Sequence, residues 1–231
     1  DRRDSPRPFR LTMAAMPIGV PAFSPAQVKL LQHIASGAPL PEVLEGITGA
    51  MESQVPGAQC SILLSDAHSP TLRHGAAPSL PKSYMALLDG GTIGPDVGSC
   101  GAAVYRNERV IVEDIATHPN WVKYREAALA HGLRACWSTP IVGPNNAVLG
   151  AFAIYYTEVR RPTDQEFEWV STATHLASIA IVRDRAEQVL RQSESLLRIA
   201  GQAARLGGWS VDLPDFHLTW SDEVCAIHEM P

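Results

Sequence analysis

The stretch TDQEFEWVSTATHLASIAIVRDRAEQVLRQSESLLRIAGQAARL, from Thr163 to Leu206, contains no proline and a single glycine, Gly201. A segment this long without breakers is far beyond the reach of a strand and reads as one extended helix. Its opening TDQE is a capping box, with Thr163 as the cap and Glu166 three residues later. Thr172, Ile179, Ala186, Ser193 and Ala200 recur at heptad spacing, interleaved with His175, Val182, Val189, Leu196 and Ala203. The first half is read as packing on its own domain. The second half has charged flanks and little chain nearby to bury its seam, so it is expected to pair with its copy in a homodimer through Ile179, Val182, Ala186, Val189 and Leu196.

Upstream, the pattern changes twice. SPAQVKLLQHIASG offers a serine cap, proline at the first helical position and apolar Val28, Leu31 and Ile34 at helical spacing, ending at Gly37. A second helix follows with Leu40, Val43, Leu44, Ile47 and Met51 in one stripe. Strand-like runs then take over. QCSILLSD reads as a strand buried on nearly both sides, TLRHGAA as its partner, and PKSYMALLDG as a short helix. GGTIGPDVGSCG reads as a glycine-rich loop, RVIVEDI as a strand, and HPNWVKYREAALAHG as a helix closed by Gly132. LRACWSTPIVG and AVLGAFAIYYTE resemble the arms of an antiparallel hairpin around PNNA. The proline-interrupted opening, residues 1–24, reads as a flexible tail.

Composition excludes several classes of function. With 231 residues, 45% hydrophobic and 19% charged, the chain can bury a substantial core. A formal net charge of -5 without a basic cluster gives no footprint for nucleic acid or an anionic membrane. No apolar run approaches the roughly 20 residues that cross a bilayer. Cys60, Cys100, Cys136 and Cys225 show no CxxC spacing, so neither a disulfide framework nor a zinc knuckle is indicated, and reduced thiols in the cytoplasm are expected. P-loop, GxSxG and HExxH motifs are all missing.

Three segments carry a family resemblance: GSCGAAVYRNERVIVEDIATHPNW from Gly98 to Trp121, GLRACWSTPI from Gly132 to Ile141, and VLGAFAIYYTEVRRPTDQE from Val148 to Glu166. Together they resemble a GAF domain, the small-molecule sensor module of bacterial signalling proteins such as sensor histidine kinases and cyclic-di-nucleotide enzymes. The resemblance covers about residues 25–183. ARLGGWSVDL with LTWSDEVCAIHEM looks like the opening of a PAS domain, 207–231, joined through a signalling helix, 184–206. The fold implied is α+β: an antiparallel sheet of about six strands with the N- and C-terminal helices on one face and a ligand-pocket loop and helix on the other. The function implied is a non-catalytic sensory module that binds a small molecule and relays the signal to downstream domains of the same chain.

Within that frame, Cys100 is the residue to weigh. SCGAAVYRN could place it at the first turn of a helix, which favours a thiolate, but no His, Lys or Arg precedes it closely, and His118 and His131 are the nearest bases in sequence. One GAF-fold enzyme class, free methionine sulfoxide reductase, uses such a thiol with a second that resolves it, and Cys100 with Cys136 would be the pair here. The closely spaced additional cysteine of those enzymes has no counterpart, so Cys100 is read as pocket wall and no catalytic residue is assigned. Bilin-carrying relatives use a cysteine beside a histidine, and neither Cys100 nor Cys136 has one adjacent. Haem on a lone His118 or His131 stays an alternative to the small-molecule reading, although an isolated histidine is more often a surface or satisfied residue, and zinc through Cys100, His118, His131 and Cys136 follows no recurrent ligand pattern. The pocket residues expected are Cys100, Trp121, Tyr124, Trp137, Thr139 and Tyr156, with the ligand unnamed. Glu113 and Asp114, adjacent on a strand, point to opposite faces and form no catalytic pair.

Overall fold

The structure, a computed structural model, describes residues 25–66, 68–204, 208–215, 217–221 and 224–225. The expected tail, 1–24, and most of the closing DEVCAIHEM segment lie outside the described residues.

Helices α1 (Pro25–Ala35) and α2 (Leu40–Gln54) form over the expected segments, but α1 buries Leu30 and Ile34 whereas Val28, expected in its stripe, is exposed. α2 buries Val43, Leu44, Ile47 and Met51, and its Thr48 hydroxyl donates back to the Leu44 carbonyl at 3.0 Å, which lets a polar residue sit in the core. The strands are β1 (Gln59–Ser65), β2 (Thr71–Ala76), β3 (Gly91–Thr92), β4 (Val110–Val112), β5 (Ala135–Val142) and β6 (Val148–Tyr156). They form one six-stranded antiparallel sheet in the order β3-β2-β1-β6-β5-β4. β5 and β6 are the predicted hairpin, turned by Pro144–Asn146, where Asn145 and Asn146 take positive φ. The fold class is therefore α+β, as read from the sequence.

Alternation along the central strands builds a core on each face of the sheet. Cys60, Ile62, Trp137, Ile141, Phe152, Ile154 and Tyr156 point to one face, where α1, α2 and the first half of the long helix α6 (Asp164–Ala204) cover them. Leu63, Cys136, Ala151, Ala153 and Tyr155 point to the other, beneath α3 (Lys82–Leu88), α4 (Gly98–Arg106) and α5 (Arg125–Ala130).

Two expected elements differ from the structure. The glycine-rich segment is not only loop: it contributes β3 and the first turns of α4. The helix expected through HPNWVKYREAALAHG is broken into a 3-10 turn, Pro119–Trp121, and α5. The Arg125 guanidinium donates to the carbonyls of Ile115 and His118, at 3.3 and 3.0 Å, and so holds the chain folded back between the two pieces. Beyond α6, β7 (Trp209–Asp212) and β8 (His217–Trp220) form a separate antiparallel hairpin whose strand residues are all exposed.

Candidate functional site

The site lies on the α4 side of the sheet. Ala151 and Ala153 on β6, with Cys136 and Ser138 on β5, are all small, and this lets α4 settle close to the strands. Gly98 begins α4 with φ 57°, a conformation that favours glycine, and a Cβ there would come within 3.6 Å of the Tyr124 ring. The first turn of α4, the ends of β3 and α3, and the rings of Trp121, Tyr124 and Tyr155 enclose a cleft with about 350 Å³ of empty space, part of it open to solvent. Leu63, Leu72 and Leu88 complete its apolar lining.

Hydrogen bonds knit the wall of this cleft to the sheet. The Trp121 indole N–H donates to the Ser99 hydroxyl at 3.0 Å, and that hydroxyl donates to the Cys136 carbonyl at 3.3 Å. Cys100 Sγ lies 3.2 Å from Ser138 Oγ, and Cys136 Sγ lies 3.9 Å from the same oxygen. Tyr155 meets Trp121 edge-to-face at 6.4 Å and Tyr84 at 5.9 Å.

Burial governs the protonation of this cluster. It pushes the Cys100 thiol up, against the smaller opposing effect of hydrogen bonds from Ser138 and Tyr155. It pushes Cys136 up strongly, with nearby Cys100 adding to the effect. Tyr155 and Tyr84 are raised for the same first reason. Cys100 does occupy the first turn of α4, but a helix terminus supplies only about 0.3–1 kcal/mol in typical settings, whereas full burial can move a pKa by roughly 3–5 units. Burial wins, and the thiols are neutral. Neither candidate base turns toward them: His118 Nδ1 accepts from the Asn120 N–H, while His131 contacts Ser83 Oγ at 3.0 Å and the Ala127 carbonyl at 2.8 Å.

Of the expected pocket residues, Cys100, Trp121 and Tyr124 line the cleft. Trp137, Thr139 and Tyr156 do not, because strand alternation turns them to the opposite face. There Trp137 packs on Tyr156 with ring centroids 4.8 Å apart, and the Thr139 hydroxyl accepts from Arg109 Nε at 3.2 Å. Tyr155 and Ser99 line the cleft, and Ser138 lies behind Cys100; none was singled out from sequence. For Tyr155 and Ser138 the signal was the same period-two pattern, read one residue out of phase, whereas Ser99 is placed by the first turn of α4.

The opposite face carries a second constellation, at the start of α6. Glu166, 3% exposed, accepts from the Tyr156 hydroxyl at 2.8 Å and pairs with Arg160 at 2.9 Å through one oxygen. Its other oxygen accepts from the Thr163 N–H at 2.7 Å, and the Thr163 hydroxyl accepts from the Glu166 N–H at 3.3 Å, which completes the predicted capping box. The Arg160 guanidinium stacks over the Tyr156 ring, 4.2 Å from its centroid.

Among the described residues no group of three or more His, Cys, Asp and Glu converges as a metal site would require. No helix there is long and apolar enough to cross a membrane.

A curled six-stranded antiparallel sheet, with terminal helices on one face and a cleft roofed by short helices on the other, defines a GAF-like α+β domain. The GAF domain family matches residues 37–182, and the chain belongs to that family. It is 39% identical over 173 residues to the methyl sulfide methyltransferase-associated sensor of Methanosarcina acetivorans, a match that takes in 75% of this chain and 17% of the relative. The chain thus spans about a sixth of that relative's length. Among solved structures, the GAF domain of a phosphoenolpyruvate-protein phosphotransferase from Coxiella burnetii superposes with a TM-score of 0.55 at 23% identity, over 72% of this chain and 99% of the other. Reduced fRMsr of Staphylococcus aureus superposes with a TM-score of 0.52 at 16% identity, over 67% and 94%, a likeness of fold alone.

Proposed function

We propose that this chain is a non-catalytic sensory module that binds a small molecule in the α4 cleft and passes the event to α6, which pairs with a second copy and acts on output domains elsewhere in the protein. One observation carries the reading: Tyr155 and Tyr156 are adjacent on β6 and serve the two sides of the sheet. Tyr155 walls the cleft, and Tyr156 hydrogen-bonds to Glu166 in the cap of α6. A small movement of β6 at the cleft therefore reaches the start of the helix through two neighbouring residues. Support for a signalling role comes from the 39% identity to a protein that is itself a sensor.

In the same reading, residues 207–231 are the opening of a PAS domain, the output is of the histidine kinase or cyclic-di-nucleotide type, and the setting is cytoplasmic. Thiol chemistry at Cys100 and Cys136, as in a methionine sulfoxide reductase, is disfavoured by burial of both sulfurs and by the engagement of His118 and His131 elsewhere.

Native mass spectrometry of the purified chain, with an absorbance spectrum, tests the binding half: a retained small molecule released on denaturation supports it. Disulfide cross-linking of Val189→Cys tests the relay half and should trap a dimer. A chain that is monomeric at all concentrations and never cross-links would sink the dimeric relay.

A further inference from the structure

We infer that the molecule taken by the α4 cleft is small, uncharged and largely apolar. This rests on the reading of the cleft as the ligand site, and it narrows the chemistry of what enters.

Charge is the most restrictive feature. The cleft lining is made of leucine, valine, glycine, serine, threonine, cysteine, tryptophan and tyrosine, without an aspartate, glutamate, lysine, arginine or histidine. Its titratable members do not supply a charge either, since the Cys100 thiol and the Tyr155 phenol are held in their neutral forms by burial. Ionic side chains around the outside neutralise one another: Arg106 pairs with Asp96 at 3.6 Å, and Arg73 with Asp89 at 3.6 Å. The ammonium of Lys123 rests over the Tyr124 ring, 5.1 Å from its centroid, and is not part of the lining. An ionised ligand drawn into this site would lose its hydration and gain no counter-charge. The phosphates of a nucleotide or the carboxylates of a tetrapyrrole would be in that position.

Size and shape narrow the class further. Only about 30 Å³ of the cleft admits the centre of a water-sized sphere, room for about two waters. That is far below ordinary ligand pockets of about 300 to 1,000 Å³, so the cleft takes only a small molecule, seated in part at its open side. The rings of Trp121, Tyr124 and Tyr155 line the space, with Trp121 and Tyr155 at 89° to each other, so the walls favour an apolar body.

The test uses three probes that share one ring and differ in charge: phenol, benzoate and benzylammonium. Each is titrated into the full, isotope-labelled chain, with the Trp121 indole N–H signal followed by NMR, because that proton bridges to Ser99 at the cleft wall. Phenol is expected to shift the signal saturably, and both ions to bind at least about tenfold more weakly, a difference of roughly 1.4 kcal/mol. Val97→Phe, at a residue lining the cleft, should abolish the phenol shift; if that variant fails to fold, Leu88→Phe narrows the same space from the α3 side. Benzoate or benzylammonium binding as tightly as phenol would overturn the assignment of charge while leaving the cleft as a ligand site. An indole signal indifferent to all three probes, or a phenol shift unchanged in the filled variant, would overturn the cleft itself.

Discussion

Cys100 illustrates how one residue's surroundings decide between two chemistries that the sequence allows. Glycines at Gly98 and Gly101 and a helix start suggest an activated thiol, yet the side chain points into the sheet toward Ser138 and loses its access to water. Cys60, Cys100 and Cys136 are buried and Cys225 is partly exposed. Iodoacetamide at pH 7.5, read by mass spectrometry of the folded chain, should therefore label Cys225 far faster than the other three. Rapid labelling of Cys100 would show a thiolate that the burial argument forbids. The same raised thiols and phenols make stability pH-dependent. Cys60, Cys100, Cys136, Tyr84 and Tyr155 keep their protons in the folded state at a pH where the unfolded chain has released them. Their contribution is fully present below about pH 8.5, the ordinary thiol value, and declines as pH rises beyond it. Urea midpoints should fall between pH 8.5 and 10.5, and Cys100→Ala should flatten part of that fall. Glu166 is the other residue with a sharp expectation. Glu166→Ala leaves Arg160 and the buried Tyr156 hydroxyl without their acceptor and should cost about 3 kcal/mol, while Glu166→Gln keeps an acceptor and should cost about 1 kcal/mol; chemical denaturation measures both.

At the scale of elements, β6 is the strand on which both faces depend, and Gly150 is its tightest point. A Cβ built there collides with the Leu63 carbonyl of β1, a backbone atom with no freedom to withdraw. Gly150 also sits opposite Ile141, where the pairing of β5 and β6 shifts register. Gly150→Ala should destabilise the domain by about 3 kcal/mol, whereas Gly49→Ala, at a helical glycine with open space around it, should be neutral or slightly stabilising. Element order, the β5–β6 hairpin and the capping box were legible in the sequence because each rests on local spacing. Which phase of β5 and β6 faces the cleft was not. Trp137, Thr139 and Tyr156 and the alternate set Cys136, Ser138 and Tyr155 both satisfy period two, and only the docking of α4 on Ala151 and Ala153 decides between them. Large aromatic residues drew attention to the first set, although the small residues of the second are what make room for α4. The break before α5 was hidden for a similar reason: it depends on Arg125 reaching carbonyls seven and ten residues earlier.

For the whole molecule, the long helix divides into a half that belongs to the domain and a half that has no cover of its own. Up to Val182 the side chains of Val170, Ala173, Leu176, Ala177, Ala180 and Ile181 join the core beneath the sheet while Ile179 stays exposed, and Arg183 donates to the carbonyls of Ile34 and Ala38, fastening α6 to the link between α1 and α2. Beyond that point Val189, Leu190, Leu196 and Leu197 are 67%, 59%, 60% and 70% exposed. Val189 and Leu196 are one heptad apart, and so are Leu190 and Leu197, so the exposed surface is a continuous stripe wider than a single seam. An exposed apolar stripe of that kind marks an interaction surface. The domain core, by contrast, has no side chain in common with it. On the proposed pairing of α6 with a second copy, the double substitution Val189→Glu and Leu196→Glu should convert a dimer to a monomer in sedimentation equilibrium while the chemical denaturation midpoint of the domain moves little. If the two charges leave the assembly intact, α6 meets its partner through a different face; if they unfold the domain, the second half of α6 is part of the core after all.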